Sequence, residues 1–448
     1  MSDLVVHPQT TPLRGYVPAP ADKSIAHRAI LLSSIARGRS RIVAPRMGDD
    51  NRSTLAAMRA LGARSELIDG VIEVEGVGLS GLAPPSAELD CGNSGTTMRL
   101  LSGLLAAMPF RSRLVGDASL SRRPMARVVA PLRARGARIE GQLDPARPGS
   151  LSAPLEIGPL PPPNVLSELA YELPVPSAQV KSALLLSGLY SPGDTTVSEP
   201  VISRDHTERM LSSLGVPLSR VGGIVRLEAA RFSGELPGFE LEIPGDPSAA
   251  AFLIAAGLLV PESEVGVRGL CLNPTRTGFY DLLRQLGAEL VMRSSGDALG
   301  EPIGDVAVSH AELRGLGVGG ELVVRAIDEL PILLGVAARA HGVTVLEGAA
   351  ELRVKESDRL SAMAEVLRAF GVACEERPDG LVVEGRPGAP LDAADVDARG
   401  DHRIAMTAAV LGLVADRPSR VRGVDAIATS FPRFVGSLRA LGARLDVV

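Results

Sequence analysis

The stretch LRQLGAELV, residues 283–291, has the pattern of a helix end that runs into a strand. Its apolar residues keep helical spacing up to Leu286, Gly287 suits the left-handed position after a helix, and an alternating segment follows. Close variants of this stretch recur along the chain. The glycines at the shared position are Gly62, Gly136, Gly215, Gly287, Gly371 and Gly442. Self-similarity of this kind indicates a repeat architecture.

A second series of helices alternates with the first. These helices open with small or polar residues, continue as apolar stretches, and cover residues 22–36, 92–107, 177–189, 245–259, 327–340 and 400–413. Helices that are apolar nearly all round pack inside a domain. We therefore predict an α/β fold of two domains with three repeats each, with these inner helices parallel at each centre. The chain is expected to cross between the domains near residues 238–246.

The composition excludes several classes of function. A chain of 448 residues, 45% of them hydrophobic, exceeds the usual size of a single core. Aromatic residues make up 3%, tryptophan is absent and the net charge is −5, which argues against nucleic-acid binding. No membrane span or signal peptide is evident, so we expect a cytoplasmic protein. The cysteines Cys91, Cys271 and Cys374 lack metal-ligand spacing, so neither metal nor disulfide is expected.

Lysine is rare in this chain. Only Lys23, Lys181 and Lys355 occur, and the other basic residues among the 47 are arginines. A lysine ammonium can lose its proton when its pKa is tuned, whereas a guanidinium effectively cannot. The remaining lysines are therefore candidates for chemistry. Lys181 is the exception, because its apolar helix favours a structural lysine whose head reaches solvent.

The starts of the inner helices carry the side chains that an anion site needs. Parallel helices place their positive ends together, and two such bundles facing one another would form an anion-binding cleft. Helix capping alone accounts for many of the polar residues. For Asp246 and Ser248, two roles remain open, that of a helix cap only and that of a ligand-binding residue. Capping does not explain Lys23 or Arg28, because a cation at a helix start opposes the macrodipole. Arg28 shares a helix face with Ser24.

Further stretches extend this candidate site. Residues 92–97, GNSGTT, resemble a phosphate-cradling loop in which glycine lets backbone amides approach an oxyanion. Arg123 adds a cation, and Lys355 and Arg359 are expected to share a helix face beside Glu356. The histidines without metal-ligand spacing are expected to orient neighbouring groups, and they are His27, His206 and His402.

Seven motifs, in order along nearly the whole chain, resemble the enolpyruvyl transferase family of 5-enolpyruvylshikimate 3-phosphate synthases, or 3-phosphoshikimate 1-carboxyvinyltransferases. The motifs are DKSIAHRA, CGNSGTTMRLLSG, GDASLSRRPM, SAQVKSALLL, SRDHTE, RVKESDRL and GDHRIAM. The resemblance implies two inside-out α/β domains, each of three repeats with strands outside and helices inside. It implies that residues 1–20 join 242–448, that 21–241 form the other domain, and that the active site lies in the cleft between them.

The resemblance also implies a reaction and a site. The enolpyruvyl group of phosphoenolpyruvate would move to the 5-hydroxyl of shikimate 3-phosphate, with release of phosphate and without a cofactor, and we expect a monomer. The shikimate 3-phosphate site would contain Lys23, Ser24, Arg28, Ser177, Ala178, Gln179, Arg204, Asp328 and Lys355. The phosphoenolpyruvate site would contain Lys23, Gly95, Arg123, Gln179, Arg359 and Arg403. Asp328 is the candidate base, and Glu356 and Lys23 are alternatives for the acid that protonates the methylene carbon.

Two positions bear on inhibition and on the donor site. Thr429 stands where many relatives carry a lysine, which removes one expected phosphoenolpyruvate contact. Gly95 is unmodified, whereas family members insensitive to glyphosate can carry alanine, so we expect this chain to be a glyphosate target. The alternatives are the sister enzyme that acts on UDP-N-acetylglucosamine, a non-catalytic phosphometabolite-binding protein and a repeat scaffold.

Overall fold

The computed structural model describes residues 2–44, 47–143 and 150–448. The chain divides into two compact units. The terminal unit comprises Met1–Asp22, Pro244–Asp297 and Pro302–Val448, and the central unit comprises Lys23–Ile243 and Ala298–Glu301. The domain ranges expected from the sequence, 1–20 with 242–448 and 21–241, stay a prediction.

Helices and strands alternate along both units. The α-helices are α1 Lys23–Ser34, α2 Asp49–Ala60, α3 Gly95–Leu105, α4 Ala126–Ala134, α5 Ala178–Gly188, α6 His206–Ser213, α7 Pro247–Leu259, α8 Gly278–Gln285, α9 Glu321–Arg325, α10 Leu330–Ala337, α11 Arg359–Ala369, α12 His402–Gly412 and α13 Phe434–Ala440. Short 3₁₀ helices cover Leu120–Arg122, Ala229–Arg231, Ala350–Val354 and Val424–Thr429.

Most of the strands are short. They are β1 Leu4–Val6, β2 Arg14–Pro18, β3 Arg37–Val43, β4 Arg64–Ile68, β5 Val71–Val77, β6 Leu89–Asp90, β7 Ser112–Val115, β8 Ile139–Leu143, β9 Leu151–Ile157, β10 Leu169–Glu172, β11 Thr195–Ser198, β12 Leu218–Val221, β13 Ile224–Leu227, β14 Glu240–Glu242, β15 Glu264–Cys271, β16 Leu290–Ala298, β17 Glu301–Ser309, β18 Gly317–Val318, β19 Val343–Leu346, β20 Cys374–Arg377, β21 Gly380–Glu384, β22 Asp395–Asp397, β23 Ser419–Arg422 and β24 Leu445–Val447.

Six four-stranded sheets form within the described ranges, three in each unit. The central unit has the orders β14-β3-β5-β4, β6-β7-β9-β8 and β10-β11-β13-β12. In each of these sheets the first two strands are parallel and the other two join antiparallel. The terminal unit has the orders β2-β15-β17-β16, β18-β19-β21-β20 and β22-β23-β1-β24. The six sheets confirm the predicted α/β fold with six repeats.

Strands distant in sequence complete the first and last repeats. In the central unit, β14 is the last strand in sequence, yet it pairs in parallel with β3 of the first repeat. In the terminal unit, β2 pairs in parallel with β15, and β1 lies antiparallel between β23 and β24. The N-terminal segment is therefore an integral part of two sheets of the terminal unit.

The inner helices form the centre of each unit, as their apolar sequences predict. In the central unit α3 contacts both α1 and α5, and in the terminal unit α7, α10 and α12 contact one another. All residues of α7 and of α12 are buried. Strands such as β9 alternate between buried and half-buried residues, so one face packs on the helices and the other faces outward.

The glycine that ends the outer helix of each repeat adopts the conformation predicted for it. Its φ is positive in all six copies, between +73° at Gly371 and +105° at Gly442. Glycine reaches this region without the steric penalty that a Cβ brings. No helix in the described part of the chain is long and apolar enough to cross a membrane.

The position of β1 predicts a face-dependent effect of truncation. Leu4 is fully buried in the terminal unit's core, whereas Val5 is half-buried on the opposite strand face. We expect Leu4→Ala to lower the free energy of unfolding by about 2–5 kcal/mol, and Val5→Ala by about 1 kcal/mol. Urea unfolding of both variants measures the difference. Equal losses would contradict the central placement of β1.

Candidate active site

Lys23 is the first residue of α1, and the start of α2 holds it in place. Its ammonium Nζ lies 3.1 Å from Asp50 Oδ2, and Asn51 donates from Nδ2 to the Lys23 carbonyl at 3.0 Å. The Lys23 side chain keeps 19% of its surface exposed. Asp50 offsets the unfavourable field that the helix N-terminus exerts on the ammonium, and the side chain stays partly accessible to a ligand.

Arg28 is buried one turn further along α1. Its Nη1 donates to the Ser24 carbonyl at 2.8 Å, which confirms that the two residues share a helix face. Its Nε donates to Thr207 Oγ1 at 2.6 Å and its Nη2 to Ser182 Oγ at 2.7 Å. Arg28 thereby joins the first turns of α1, α5 and α6 within the central unit.

The GNSGTT loop leads into α3, which begins at Gly95. Ser94 caps this helix by accepting from the Thr97 amide at 3.1 Å. A Cβ on Gly95 would lie 3.1 Å from Arg99 Nη1 and 3.4 Å from Arg123 Nη1. Arg123 itself donates from Nη2 to Asn93 Oδ1 at 2.5 Å. Two guanidinium groups therefore crowd this helix start, and glyphosate sensitivity stays a prediction.

The first turn of α5 carries three further predicted site residues. Ser177 caps the helix, the Ala178 carbonyl accepts from Ser182 Oγ at 2.6 Å, and Gln179 donates from Nε2 to Thr96 Oγ1 at 2.7 Å. Arg99 donates to Gln179 Oε1, which fixes the orientation of the amide. Sequence reasoning missed Arg99, although it stands one helical turn after Gly95.

Arg204 lies in the loop between β11 and α6 and is partly exposed. The central unit thus brings the starts of α1, α3, α5 and α6 into direct side-chain contact. Its predicted site residues all lie on or beside these helix starts, and they are Lys23, Ser24, Arg28, Gly95, Arg123, Ser177, Ala178, Gln179 and Arg204.

The prediction for Lys181 was wrong in one respect. Its side chain does not reach solvent, because Lys181 is 2% exposed and pairs with Glu199 at 2.5 Å and Glu208 at 2.8 Å. Burial lowers the pKa of Lys181, but the two carboxylates outweigh burial and raise the pKa above its ordinary value. The apolar pattern of α5 gave no sign of these ion pairs, because Glu199 and Glu208 lie outside that helix and later in the sequence.

In the terminal unit, Arg359 is the centre of a second cluster. This first residue of α11 is 1% exposed, and its Nε donates to Asp401 Oδ2 at 2.8 Å. Its Nη2 donates to Glu356 Oε2, and its Nη1 lies 3.5 Å from Asp328 Oδ1. Burial lowers the pKa of Arg359, but the surrounding carboxylates outweigh burial and raise it above its ordinary value.

Asp401 is the capping residue of α12 and the deepest of these carboxylates. It accepts from the Arg403 amide at 2.9 Å and from Ser357 Oγ at 3.0 Å. Burial is the largest effect and raises the pKa of Asp401, but the charge and hydrogen bond of Arg359, together with His402, outweigh burial, so the net pKa lies below its ordinary value. Asp401 thus secures the charged state of Arg359 at the start of two helices.

Asp328 precedes α10 and faces three cations. Besides Arg359, Lys355 Nζ lies 3.9 Å from Asp328 Oδ1, and Arg403 Nη2 lies 3.8 Å from Oδ2. Arg403 also donates from Nη1 to the Asp328 carbonyl at 2.8 Å. The terminal unit therefore gathers the remaining predicted site residues, and they are Asp328, Lys355, Glu356, Arg359 and Arg403.

The expected helix face shared by Lys355 and Arg359 was wrong. Lys355 follows the 3₁₀ helix Ala350–Val354 with extended backbone, and α11 begins only at Arg359. Asp358 caps α11 by accepting from the Ser361 amide at 3.1 Å, which ends the non-helical segment at that point. Lys355 reaches the cluster from a loop rather than from a helix.

Sequence reasoning also missed Arg276, which is buried in the terminal unit. Arg276 donates from Nη1 to Asp22 Oδ2 at 2.6 Å, and from Nη2 to Asp246 Oδ1 and Ser248 Oγ, each at 3.0 Å. Asp246 also caps α7, so it is both a cap and an ion-pair partner. Ser248 donates to Glu329, the neighbour of Asp328. No periodic pattern surrounds Arg276 in the sequence.

The comparisons with known proteins agree with the family that the motifs indicate. Residues 8–438 match the family EPSP synthase (3-phosphoshikimate 1-carboxyvinyltransferase). A 3-phosphoshikimate 1-carboxyvinyltransferase of Citrifermentans bemidjiense is 45% identical over 99% of this chain and 100% of its own length. One of Halorhodospira halophila is 47% identical over 97% of this chain and 95% of its own length.

Solved structures agree as well. The EPSP synthase structure from Acinetobacter baumannii at 2.37 Å superposes with a TM-score of 0.87 and 38% identity, covering all of both chains. The matched family and relatives show the class of protein, a transferase, and the sheets and solved structures show its inside-out α/β architecture. The chain belongs to the EPSP synthase family. The resemblance stated from the motifs is confirmed.

The buried histidine beside Lys23 predicts a pH effect on stability. His27 Nδ1 lies 2.6 Å from Thr54 Oγ1, and burial, with Lys23 and Arg28, lowers the His27 pKa well below its ordinary value. Below about pH 6.5 the unfolded chain binds a proton here that the folded chain does not, so stability falls as pH falls. The slope for one such site is at most about 1.4 kcal/mol per pH unit.

We therefore expect His27→Asn, whose amide can replace the bond to Thr54, to reduce the loss of unfolding free energy between pH 7 and pH 5. Urea unfolding at both pH values measures that loss. His341→Asn is the control, since His341 is exposed. The same loss in wild type and His27→Asn would contradict the neutral, buried state of His27.

Proposed function

We propose that this chain transfers the enolpyruvyl group of phosphoenolpyruvate to the 5-hydroxyl of shikimate 3-phosphate and releases inorganic phosphate. The observation that carries the proposal is the set of cations at or beside helix starts, of which Lys23 is held by Asp50, Arg123 by Asn93 and Arg359 by Asp401. Both substrates are polyanions, and helix starts with added cations bind such ligands. The name of the family describes the same transfer.

In this proposal the acceptor is bound chiefly by the central unit. Arg28 and Arg204 supply charge, and the starts of α1 and α5 supply hydroxyl and amide groups. Asp328 and Lys355 of the terminal unit complete the set. The acceptor residues proposed are Lys23, Ser24, Arg28, Ser177, Ala178, Gln179, Arg204, Asp328 and Lys355.

The donor needs cations around its phosphate and carboxylate. Arg123 beside Gly95, and Arg359 and Arg403 in the other cluster, offer guanidinium groups that bind such anions in a bidentate manner. The donor residues proposed are Lys23, Gly95, Arg123, Gln179, Arg359 and Arg403. That both sets of residues act in one cleft stays a prediction, as do the cytoplasmic location and the monomeric state.

The chemistry is an addition followed by an elimination. In the addition, the acceptor oxygen bonds to the enol carbon of the donor, a base takes the hydroxyl proton and an acid protonates the methylene carbon. In the elimination, the bond to the phosphate oxygen breaks and a methyl proton leaves, which restores the double bond. Asp328 is the proposed base, and Glu356 and Lys23 remain the alternatives for the acid. The guanidinium groups stabilise the charge of the departing phosphate.

The test is phosphate release from phosphoenolpyruvate. We expect release that depends on shikimate 3-phosphate and is absent with UDP-N-acetylglucosamine. Lys23→Arg keeps the charge but removes a group able to transfer a proton, so it should lower kcat by about 10²–10⁴. Calorimetry on the variant should still detect shikimate 3-phosphate. Release only with the UDP-sugar would refute the acceptor, and binding without turnover in wild type would refute the transfer.

Two amide variants separate the proton-transfer roles. Asp328→Asn removes the proposed base while keeping its size, so the tetrahedral intermediate should form about 10²–10⁴ times more slowly in a rapid-quench single turnover. Formation at the wild-type rate would exclude Asp328 as the base. Glu356→Gln decides the acid, since slow formation assigns the methylene proton to Glu356 and normal formation assigns it to Lys23.

A further inference from the structure

Lys181 is the one lysine that the proposed reaction leaves without a role. It lies on α5 in the central unit, where it forms a buried cluster with Glu199 and Glu208 whose side chains are 3%, 2% and 2% exposed. Lys181 Nζ lies 2.5 Å from Glu199 Oε1 and 2.8 Å from Glu208 Oε1. Its third contact is a hydrogen bond to the Ser203 carbonyl at 3.3 Å.

Glu199 holds the other polar groups of Ser203. Glu199 Oε1 accepts from the Ser203 amide at 2.9 Å, and Oε2 accepts from Ser203 Oγ at 2.6 Å. The pair of Lys181 and Glu199 therefore binds the amide, the carbonyl and the hydroxyl of one loop residue. Ser203 is the residue directly before Arg204, so these bonds set the point from which the Arg204 side chain leaves the loop.

A second polar link runs beside this cluster. Thr207, the neighbour of Glu208, donates to Ser182 Oγ at 2.7 Å, and Ser182 is the neighbour of Lys181. Arg28 donates to both Thr207 and Ser182. The same two helices thus support two residues of the proposed acceptor site. Ser182 of α5 and Thr207 of α6 fix Arg28. Their neighbours, Lys181 and Glu208, belong to the cluster that fixes the loop of Arg204.

A purely structural role does not explain the choice of residues. A buried ion pair is often no more stabilising than apolar side chains of similar volume, because both charges lose their hydration. Apolar residues would pack α5 against α6 equally well, but they offer no partner for the three polar groups of Ser203. A lysine ammonium also carries three donors, and here they serve two carboxylates and a carbonyl.

We propose that Lys181 is a positioning residue for the acceptor phosphate, which acts through Glu199 and Ser203 to direct Arg204 and touches no substrate itself. This inference rests on the proposed assignment of Arg204 to the shikimate 3-phosphate site. It gives the third lysine of the chain a function without a proton transfer.

The primary test is Glu199→Gln. This change replaces one of the two carboxylate oxygens that bind Ser203 by an NH₂ group, and it leaves Glu208 to pair with Lys181. We expect KM for shikimate 3-phosphate to rise about tenfold, equivalent to about 1.4 kcal/mol of binding, with kcat and the KM for phosphoenolpyruvate within about twofold of wild type. Lys181→Met should change the same parameter in the same direction.

Arg135→Met is the matched control. Arg135 is also a buried cation that contacts α5, where it donates to Ser187 Oγ at 2.7 Å and to the Leu184 carbonyl at 3.3 Å. We expect it to lower stability without changing the KM for either substrate. If Arg135→Met and Glu199→Gln raise both KM values alike, the role of the cluster is only structural and the inference is overturned.

A double-mutant cycle with Arg204→Ala provides the decisive readout. If Lys181 and Glu199 act through Arg204, Glu199→Gln should raise KM for shikimate 3-phosphate in the wild-type background but not in the Arg204→Ala background. Additive effects would overturn the inference even if Lys181→Met fails to fold. The proposed function is tested separately, by turnover of shikimate 3-phosphate in the wild-type protein. The results for these variants do not enter that test.

Discussion

The structure depends on a single electrostatic constraint, which is that charged side chains stand at the buried starts of helices. A charge removed from water is tolerated only when partners restore the lost interactions. Arg359 satisfies this condition through Asp401, Glu356 and Asp328, and Lys23 through Asp50. Asp401 caps α12 and Asp50 lies in the first turn of α2, whereas Asp328 and Glu356 lie just before α10 and α11. The clusters therefore form only where an inner and an outer helix start side by side, as α1 and α2 or α12 and α11 do, which makes the repeat packing a requirement for the charges.

The sequence predicts the repeats well because their signals are local. Helical spacing followed by a glycine requires only neighbouring residues, and all six glycines have the expected positive φ. Strand partners that are far apart follow less directly. The role of β14 in the first sheet and of β1 in the last depends on how each unit closes on itself, and no residue of Leu4–Val6 carries that information alone.

The same difference between local and tertiary signals applies to the site residues. Ser24 and Arg28 were paired correctly because one helix contains both. The segment with Lys355 was misread, because Asp358 resembles an ordinary helical residue until its bond to the Ser361 amide marks the helix start. Arg276 and the partners of Lys181 were missed for another reason. Their carboxylates, such as Asp22 with Arg276, lie in other elements, and only tertiary packing brings them together.

Each of these clusters is formed by the side chains of a single unit. The guanidinium groups of Arg28 and Arg359 are already fixed by three neighbours each, so little side-chain entropy remains to be lost when an anion binds. The folding of each unit bears the cost of ordering these charges, and donors ordered in advance stabilise developing charge without further reorganisation. The carboxylates that weaken the positive field are thus also what makes a fixed arrangement of cations possible. A site for two polyanions that was built from unpaired arginines would carry more positive charge. Its side chains would, however, lose conformational entropy each time a ligand bound.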